Sequence, residues 1–221
     1  MNPVIIYGVP QSSYARTVRL VCEEKRVPHV FESVGIHDLR SPAHMARHPF
    51  GRIPAMRHGG VLLFETLAIA RYIDVAFDGP ALQPKEAHAV ALMDQWISVT
   101  SDYVFHNIAR RILVERFIVP ELGGTPDEQS IAAALPDARH CLETIDQALG
   151  SQCFLAGAQF TLADMFLSPI IFNLGLVPEG DTLLAGLPAL ERWYKNVSNR
   201  PSFAATMPPT PNAKHGGKAA A

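Results

Sequence analysis

Hydrophobic residues change their rhythm near position 78. Before it, apolar runs are short and alternate in type. Val4-Ile5-Ile6-Tyr7, closed by Gly8 and Pro10, reads as a buried strand. Over residues 14–25 the apolar positions Ala15, Val18, Val21 and Cys22 recur at helical spacing until Pro28 stops them. Residues 29–34 read as a second strand and residues 40–47 as a short polar helix. Two further strands, 53–56 and 61–64, flank Arg57-His58-Gly59-Gly60, a hairpin loop. Leu67, Ile69, Ala70, Tyr72 and Ile73 then mark a helix. The order is β-α-β-α-β-β-α, with a right-handed first crossover and the hairpin extending the sheet.

Beyond the Asp78-Gly79-Pro80 turn every periodic stretch is helical. From Glu86 to about Ile118 two apolar rows run side by side. One is Leu92, Trp96, Val99, Tyr103; the other is Met93, Ile97, Val104, Ile108, Ile112. Residues 120–126 read as a loop, and 127–149 as a helix that Pro136 kinks or breaks. Shorter helices are expected near 162–174 and 188–198. The organisation expected is a first domain over 1–78, a linker over 79–86, an all-helical domain over 87–205 and a weakly packed tail over 206–221.

Composition narrows the class. The 221 residues are 48% hydrophobic and 18% charged, enough apolar material for a sizeable core. With 19 basic and 21 acidic residues the net charge is −2, which argues against nonspecific nucleic-acid binding. A bilayer span needs about 20 apolar residues, and the longest candidate, 165–177, is interrupted by Ser168, Pro169, Asn173 and Gly175. The first residues lack the basic lead and apolar stretch of a secretory signal. Cys22, Cys141 and Cys153 form no CxxC pair and read as reduced thiols of a cytoplasmic protein. No metal site is expected, since His44 and His48 have no third ligand nearby in sequence.

Four segments carry candidate chemistry. In Tyr7-Gly8-Val9-Pro10-Gln11-Ser12-Ser13-Tyr14-Ala15-Arg16, a hydroxyl-bearing loop meets a helix start, where free N–H groups and a hydroxyl stabilise an anion; on this segment alone plain capping by Ser12 or Ser13 is the commoner reading. In His48-Pro49-Phe50-Gly51-Arg52-Ile53-Pro54-Ala55, a proline before a strand leaves the Ile53 backbone open to an extended ligand, or is an ordinary turn. In Phe64-Glu65-Thr66-Leu67, a strand feeds straight into a helix whose N-terminus suits a carboxylate, with Glu65 facing an amino group; simple capping is the alternative. In Phe160-Thr161-Leu162-Ala163-Asp164, the spacing assigns Asp164 to a capping box.

Together, these segments and the closing Leu187-Pro188-Ala189-Leu190…Trp193…Arg200-Pro201 stretch resemble the cytosolic glutathione transferase family over roughly residues 3–204. The serine-type branches (phi, theta and related bacterial forms) are nearer than the tyrosine-type ones. The resemblance implies a thioredoxin-like N-terminal domain and a helical C-terminal domain in a homodimer. It implies glutathione as co-substrate and a hydrophobic electrophile as its acceptor. Separately, Phe50 reads as an exposed loop aromatic that would plug into the partner subunit. Ser12 matches the serine that hydrogen-bonds the glutathione sulfur, with Ser13 and Tyr7 as rivals for that role. Ile53 matches the residue pairing with the cysteinyl backbone, Pro54 the family's cis-proline, and Glu65 and Thr66 the pair gripping the γ-glutamyl end. Arg40 and Arg52 sit near the positions that meet the glycyl carboxylate. Tyr14, Tyr103, Asn107 and Arg111 are the candidates for the second-substrate pocket. Two other functions compete: a maleylacetoacetate isomerase-like reaction, to which Ser12-Ser13 and Val18-Arg19 are similar, and a noncatalytic glutathione-binding or assembly role.

Overall fold

The structure is a computed structural model that describes residues 2–209. Its first part is a four-stranded sheet with the order β2-β1-β3-β4. Strand β1 (Val4–Gly8) runs parallel to β2 (His29–Ser33) and antiparallel to β3 (Ala55–His58), which forms a hairpin with β4 (Val61–Phe64). The two-residue side-chain period sorts β1 between its faces. Val4 and Ile6 enter the main core, whereas Tyr7 joins Val34 and Ala55 in a separate cluster on the other side. Helix α1 (Ser13–Lys25) crosses over between β1 and β2 and packs against α3 (Thr66–Ala76), which follows β4 directly. A 3-10 turn over Ile36–Arg40 and the short α2 (Pro42–Met45) fill the stretch read as a single helix. The predicted order of elements holds.

The second part is helical. Helix α4 (Ala87–Val99) continues as a π-wound segment over Thr100–Ile118, where Val119 N–H reaches back to the Val114 carbonyl. A single turn, α5 (Val119–Glu121), begins what the sequence marks as loop. Helix α6 (Glu128–Leu149) runs without a break through Pro136, capped by Asp127, whose carboxylate accepts from Gln129 and Ser130 N–H. The remaining helices are α7 (Leu162–Leu174), α8 (Pro178–Leu183), α9 (Pro188–Ser198) and α10 (Pro201–Ala205). Periodicity misses α8 and α10, because six and five residues are too few to show a 3.6-residue repeat.

Helix α7 is the spine, with every residue except Phe172 buried. Pro169 lies inside it and cannot donate to the Met165 carbonyl four residues back. That carbonyl is satisfied from the other part of the molecule: Thr17 Oγ1 of α1 donates to it at 3.0 Å. Asp164, fully buried, accepts at its two oxygens from Thr161 N–H, Leu155 N–H and Trp193 Nε1–H, tying α7 to α9 and to the preceding loop. The capping box is present, as the spacing predicts.

One further contact anchors the segment between the parts, and another joins the parts directly. Buried Lys25 pairs with Asp74 at 3.2 Å, and Asp74 also accepts from Leu82 N–H and Gln83 Nε2, which anchors the segment after α3. The Arg16 guanidinium is sandwiched between Phe203 (4.0 Å) and Phe172 (4.4 Å) and donates to the Phe203 carbonyl. Burial pushes its pKa down to about 10. Thr206 is fully buried and its Oγ1 accepts from Arg16 Nε, so the chain is still packed at the first residue of the expected loose tail. Residues 210–221 of that tail lie outside the described residues.

Candidate active site between the sheet and the helices

Gly8 ends β1 where α1 passes closest, and a Cβ there would lie 2.7 Å from Ala15 Cβ. The close approach turns the chain sharply, with Ser12 N–H donating to the Val9 carbonyl, and sets Ser12 as the N-cap of α1. Its Oγ accepts from Ala15 N–H at 3.2 Å. A hydroxyl has one hydrogen to give besides its acceptor lone pairs. Capping therefore leaves the Ser12 O–H free to donate, and the two readings of this serine are compatible.

Ser13 is held differently. Asn173 Nδ2, from α7, lies 3.1 Å from Ser13 Oγ and 3.1 Å from the Gln11 carbonyl. The carbonyl can only accept, so the amide nitrogen must face it. The residues on both sides of Ser12 are thus fastened to the helical part. Tyr7 lies apart from this cleft: its ring is buried in the opposite cluster under Arg47, and its hydroxyl accepts from Arg57 Nε at 3.3 Å.

The second wall comes from the loop before β3. The Ile53–Pro54 peptide is cis. Buried His44 donates through Nε2 to the Arg52 carbonyl at 2.8 Å, which pins the preceding backbone. Gly51 has φ +59°, and a Cβ there would meet the Leu39 carbonyl at 2.8 Å. The register Ala55↔Phe64 sets Pro54 beside Glu65. Glu65, with φ +71°, occupies backbone space that side-chain-bearing residues rarely adopt, and no side chain caps α3 there. Its own side chain is 66% exposed, with Oε1 3.9 Å from Nε2 of the buried His48. Burial pushes the His48 imidazole below its ordinary pKa, against the opposing pull of Glu65. Thr66 begins α3 and is buried.

Between these elements and the π-wound segment lies a cleft of about 580 Å³. Of the residues singled out in the sequence, Ser12, Ser13, Tyr14, Arg40, Arg52 and Ile53 line it; Pro54, Glu65 and Thr66 border Ile53 through the strand register rather than lining the cavity. Tyr14 stacks on Phe105 with centroids 4.4 Å apart. Burial, opposed by a Ser101 hydrogen bond, raises the Tyr14 phenol to about 12, so it stays neutral.

Tyr103, Asn107 and Arg111 are not cleft residues. They flank the core row Val104, Ile108, Ile112 on the side that faces α6. Asn107 Nδ2 donates to Cys141 Sγ, Arg111 pairs with Asp137 at 2.7 Å and donates to the Ala133 carbonyl, and Tyr103 is 61% exposed. The cleft is lined by the opposite flank: Phe105, Ala109, Arg110, Leu113, Val114, Phe117 and Ile118. Periodicity finds the buried row but not which flank faces the first domain. A signal is nonetheless present, since Phe105, Ala109, Leu113 and Phe117 recur every four residues. Sequence reasoning misses Asn173 too, although an amide in an otherwise apolar helix marks a satisfied buried polar group.

Comparison with known proteins agrees with this architecture. The family model described as glutathione S-transferase, N-terminal domain, matches residues 6–81, and the C-terminal domain model matches residues 128–196. The chain is 32% identical over 225 residues to glutathione S-transferase 3 of Zea mays, covering 96% of this chain and 99% of that one. It is 30% identical to glutathione S-transferase F12 of Arabidopsis thaliana, covering 92% and 97%. Among solved structures, glutathione S-transferase I from maize in complex with an atrazine glutathione conjugate superposes with a TM-score of 0.83 at 28% identity, covering 95% of this chain and all of that one.

Proposed function

The chain belongs to the glutathione S-transferase family, and from that membership we propose how its residues conjugate glutathione to hydrophobic electrophiles. In this reading Ser12 is the catalytic residue, and its hydroxyl donates to the glutathione sulfur. An ordinary thiol has a pKa of about 8.5, so little is thiolate at neutral pH. A donated O–H and the N-terminus of α1 both favour the anion. Because Ser12 Oγ accepts from Ala15 N–H, its own O–H is polarised toward donation. Each unit by which the thiol is lowered corresponds to ~1.4 kcal/mol of preferential anion binding.

The same reading assigns the rest of the tripeptide. The Ile53 backbone, at the cleft wall just before Pro54, pairs with the cysteinyl unit. Glu65 meets the γ-glutamyl ammonium, and Thr66 with the free N–H groups of α3 meets the adjoining carboxylate. Arg40 and Arg52 take the glycyl carboxylate, supported by their place on the cleft wall. The electrophile lies against Tyr14 and the Phe105–Phe117 flank. The thiolate sulfur bonds to its electrophilic carbon, the leaving group departs with its electron pair, and the thiol proton passes to water.

A homodimer in the cytoplasm completes the proposal. It is supported by Phe50, 64% exposed beside Phe64, and by three cysteines that form no disulfide. No helix among the described residues is long and apolar enough to cross a membrane.

The observation that carries the assignment is where each hydroxyl sits: the Ser12 hydroxyl caps α1 at a partly exposed position on the cleft wall, while the Ser13 hydroxyl is buried and accepts from Asn173 Nδ2. Turnover of an aryl halide by Ser12→Ala and Ser13→Ala variants tests it. Ser12→Ala should lose at least about tenfold more kcat/KM than Ser13→Ala. Equal losses would remove Ser12 from the mechanism.

A further inference from the structure

Among the described residues the cleft is lined by three arginines, Arg40, Arg52 and Arg110, and by no carboxylate. Arg40 and Arg52 stand on the sheet side. Arg110 stands alone on the helical side, exposed, its guanidinium carbon 5.7 Å from the Phe105 ring centroid. Phe105 in turn stacks on Tyr14, the neighbour of Ser13. Every other residue that the helical segment contributes is apolar: Phe105, Ala109, Leu113, Val114, Phe117 and Ile118. Among the described residues no carboxylate forms an ion pair with Arg110. The adjacent Arg111, by contrast, is consumed by Asp137.

Charge bookkeeping then points to the second substrate. Bound glutathione carries two carboxylates, one ammonium and the thiolate. In the proposed reading Glu65, Thr66, Arg40 and Arg52 answer the first three, and Ser12 with the α1 terminus answers the fourth. Arg110 is left over, on an aromatic wall. We propose that Arg110 is a specificity residue selecting electrophiles that join a flat apolar body to an anionic group, such as a carboxylate or sulfonate. The planar body lies along Phe105 and Phe117, and the anion accepts from the guanidinium at the rim. This inference rests on the conjugation reading of the same cleft.

A matched pair of substrates tests it: 4-chloro-3,5-dinitrobenzoate and its methyl ester. In both, the thiolate sulfur bonds to the chlorine-bearing ring carbon and chloride leaves with the bonding pair. Only the acid carries a charge. The readout is the ratio of kcat/KM for acid over ester, in which intrinsic reactivity cancels between protein variants. Arg110→Gln should lower that ratio by about three- to tenfold, the scale of a rim charge in partly solvated surroundings. Arg110→Lys should keep most of it, and rising ionic strength should shrink it in the unsubstituted protein. An unchanged ratio in Arg110→Gln, with the ester still turned over, overturns the role of Arg110 and leaves conjugation standing. Failure of the unsubstituted protein to consume either substrate overturns both readings.

Discussion

Asn173 and Ser13, 160 positions apart, are joined by a 3.1 Å hydrogen bond in which the amide Nδ2 donates to the hydroxyl oxygen. The same nitrogen donates to the Gln11 carbonyl, so one buried side chain of α7 fixes both neighbours of Ser12. The helical part does more than line the cleft; it holds the Ser12 loop in place.

Asn173 is therefore a positioning residue. Asn173→Asp turns a carboxylate oxygen toward the Gln11 carbonyl and should reduce kcat about tenfold or more, the usual cost of a misplaced reacting group. The acid limb of the pH–rate profile should move upward, because the sulfur loses its aligned hydroxyl. A purely structural role would lower the fraction of active protein and leave that limb in place.

The Thr17 hydroxyl replaces the bond that Pro169 cannot give to the Met165 carbonyl. Thr17→Val keeps the side-chain shape and orphans a buried acceptor. Denaturant unfolding should show a loss of about 1–3 kcal/mol. A double variant with Pro169→Ala should recover part of it, since the alanine restores a backbone N–H that reaches the same carbonyl.

Glu65 combines a positive φ with an exposed carboxylate, so backbone strain and ligand contact meet at one residue. Glu65→Gly should relieve the strain and hold or raise the melting temperature, by the equivalent of about 1 kcal/mol. The same change should raise the KM for glutathione several-fold. Thermal melts beside glutathione saturation curves separate the two effects.

Glu24 joins α1 to the last helices through Arg200 at 2.6 Å and through Ser202. Burial raises its pKa, but the Arg200 and Ser202 hydrogen bonds and the Arg200 charge outweigh it and hold the carboxyl below its ordinary range. A depressed folded-state value stabilises the protein above the unfolded pKa of about 4.3 and is lost as pH falls through the folded value. Glu24→Gln should cost about 1–3 kcal/mol at neutral pH, and the difference should fade in acid. Urea midpoints of both proteins at neutral pH and near pH 4 or below measure it.

What is legible in the sequence follows from the range of the interactions. The strands β1, β2 and β4, α1, α3 and the Thr161–Asp164 box are set by near neighbours and side-chain period and form close to where they are read. Strand β3 lies at Ala55–His58, two residues later than 53–56, because Arg57 and His58 pair with β4 and the turn shrinks to Gly59-Gly60. The placing of Ser12 at the mouth of α1 is likewise local. The face that α4 and its π-wound extension turn to the cleft is not. A row of buried residues has two flanks, and tertiary packing against α6 claims Asn107 and Arg111 for one of them. Asn173 and Arg16 bond to residues 160 or more positions away, which no window along the chain reveals.

The acidity of the bound thiol decides whether Ser12 activates glutathione. Its most direct test is ultraviolet titration of thiolate in the glutathione complex, run on the unsubstituted protein and on Ser12→Ala. The expected result is a bound thiol at least about one unit below the ordinary value of ~8.5, moving back toward it in the variant. Superimposable titrations of the two complexes, or a bound thiol that ionises where free glutathione does, would contradict it.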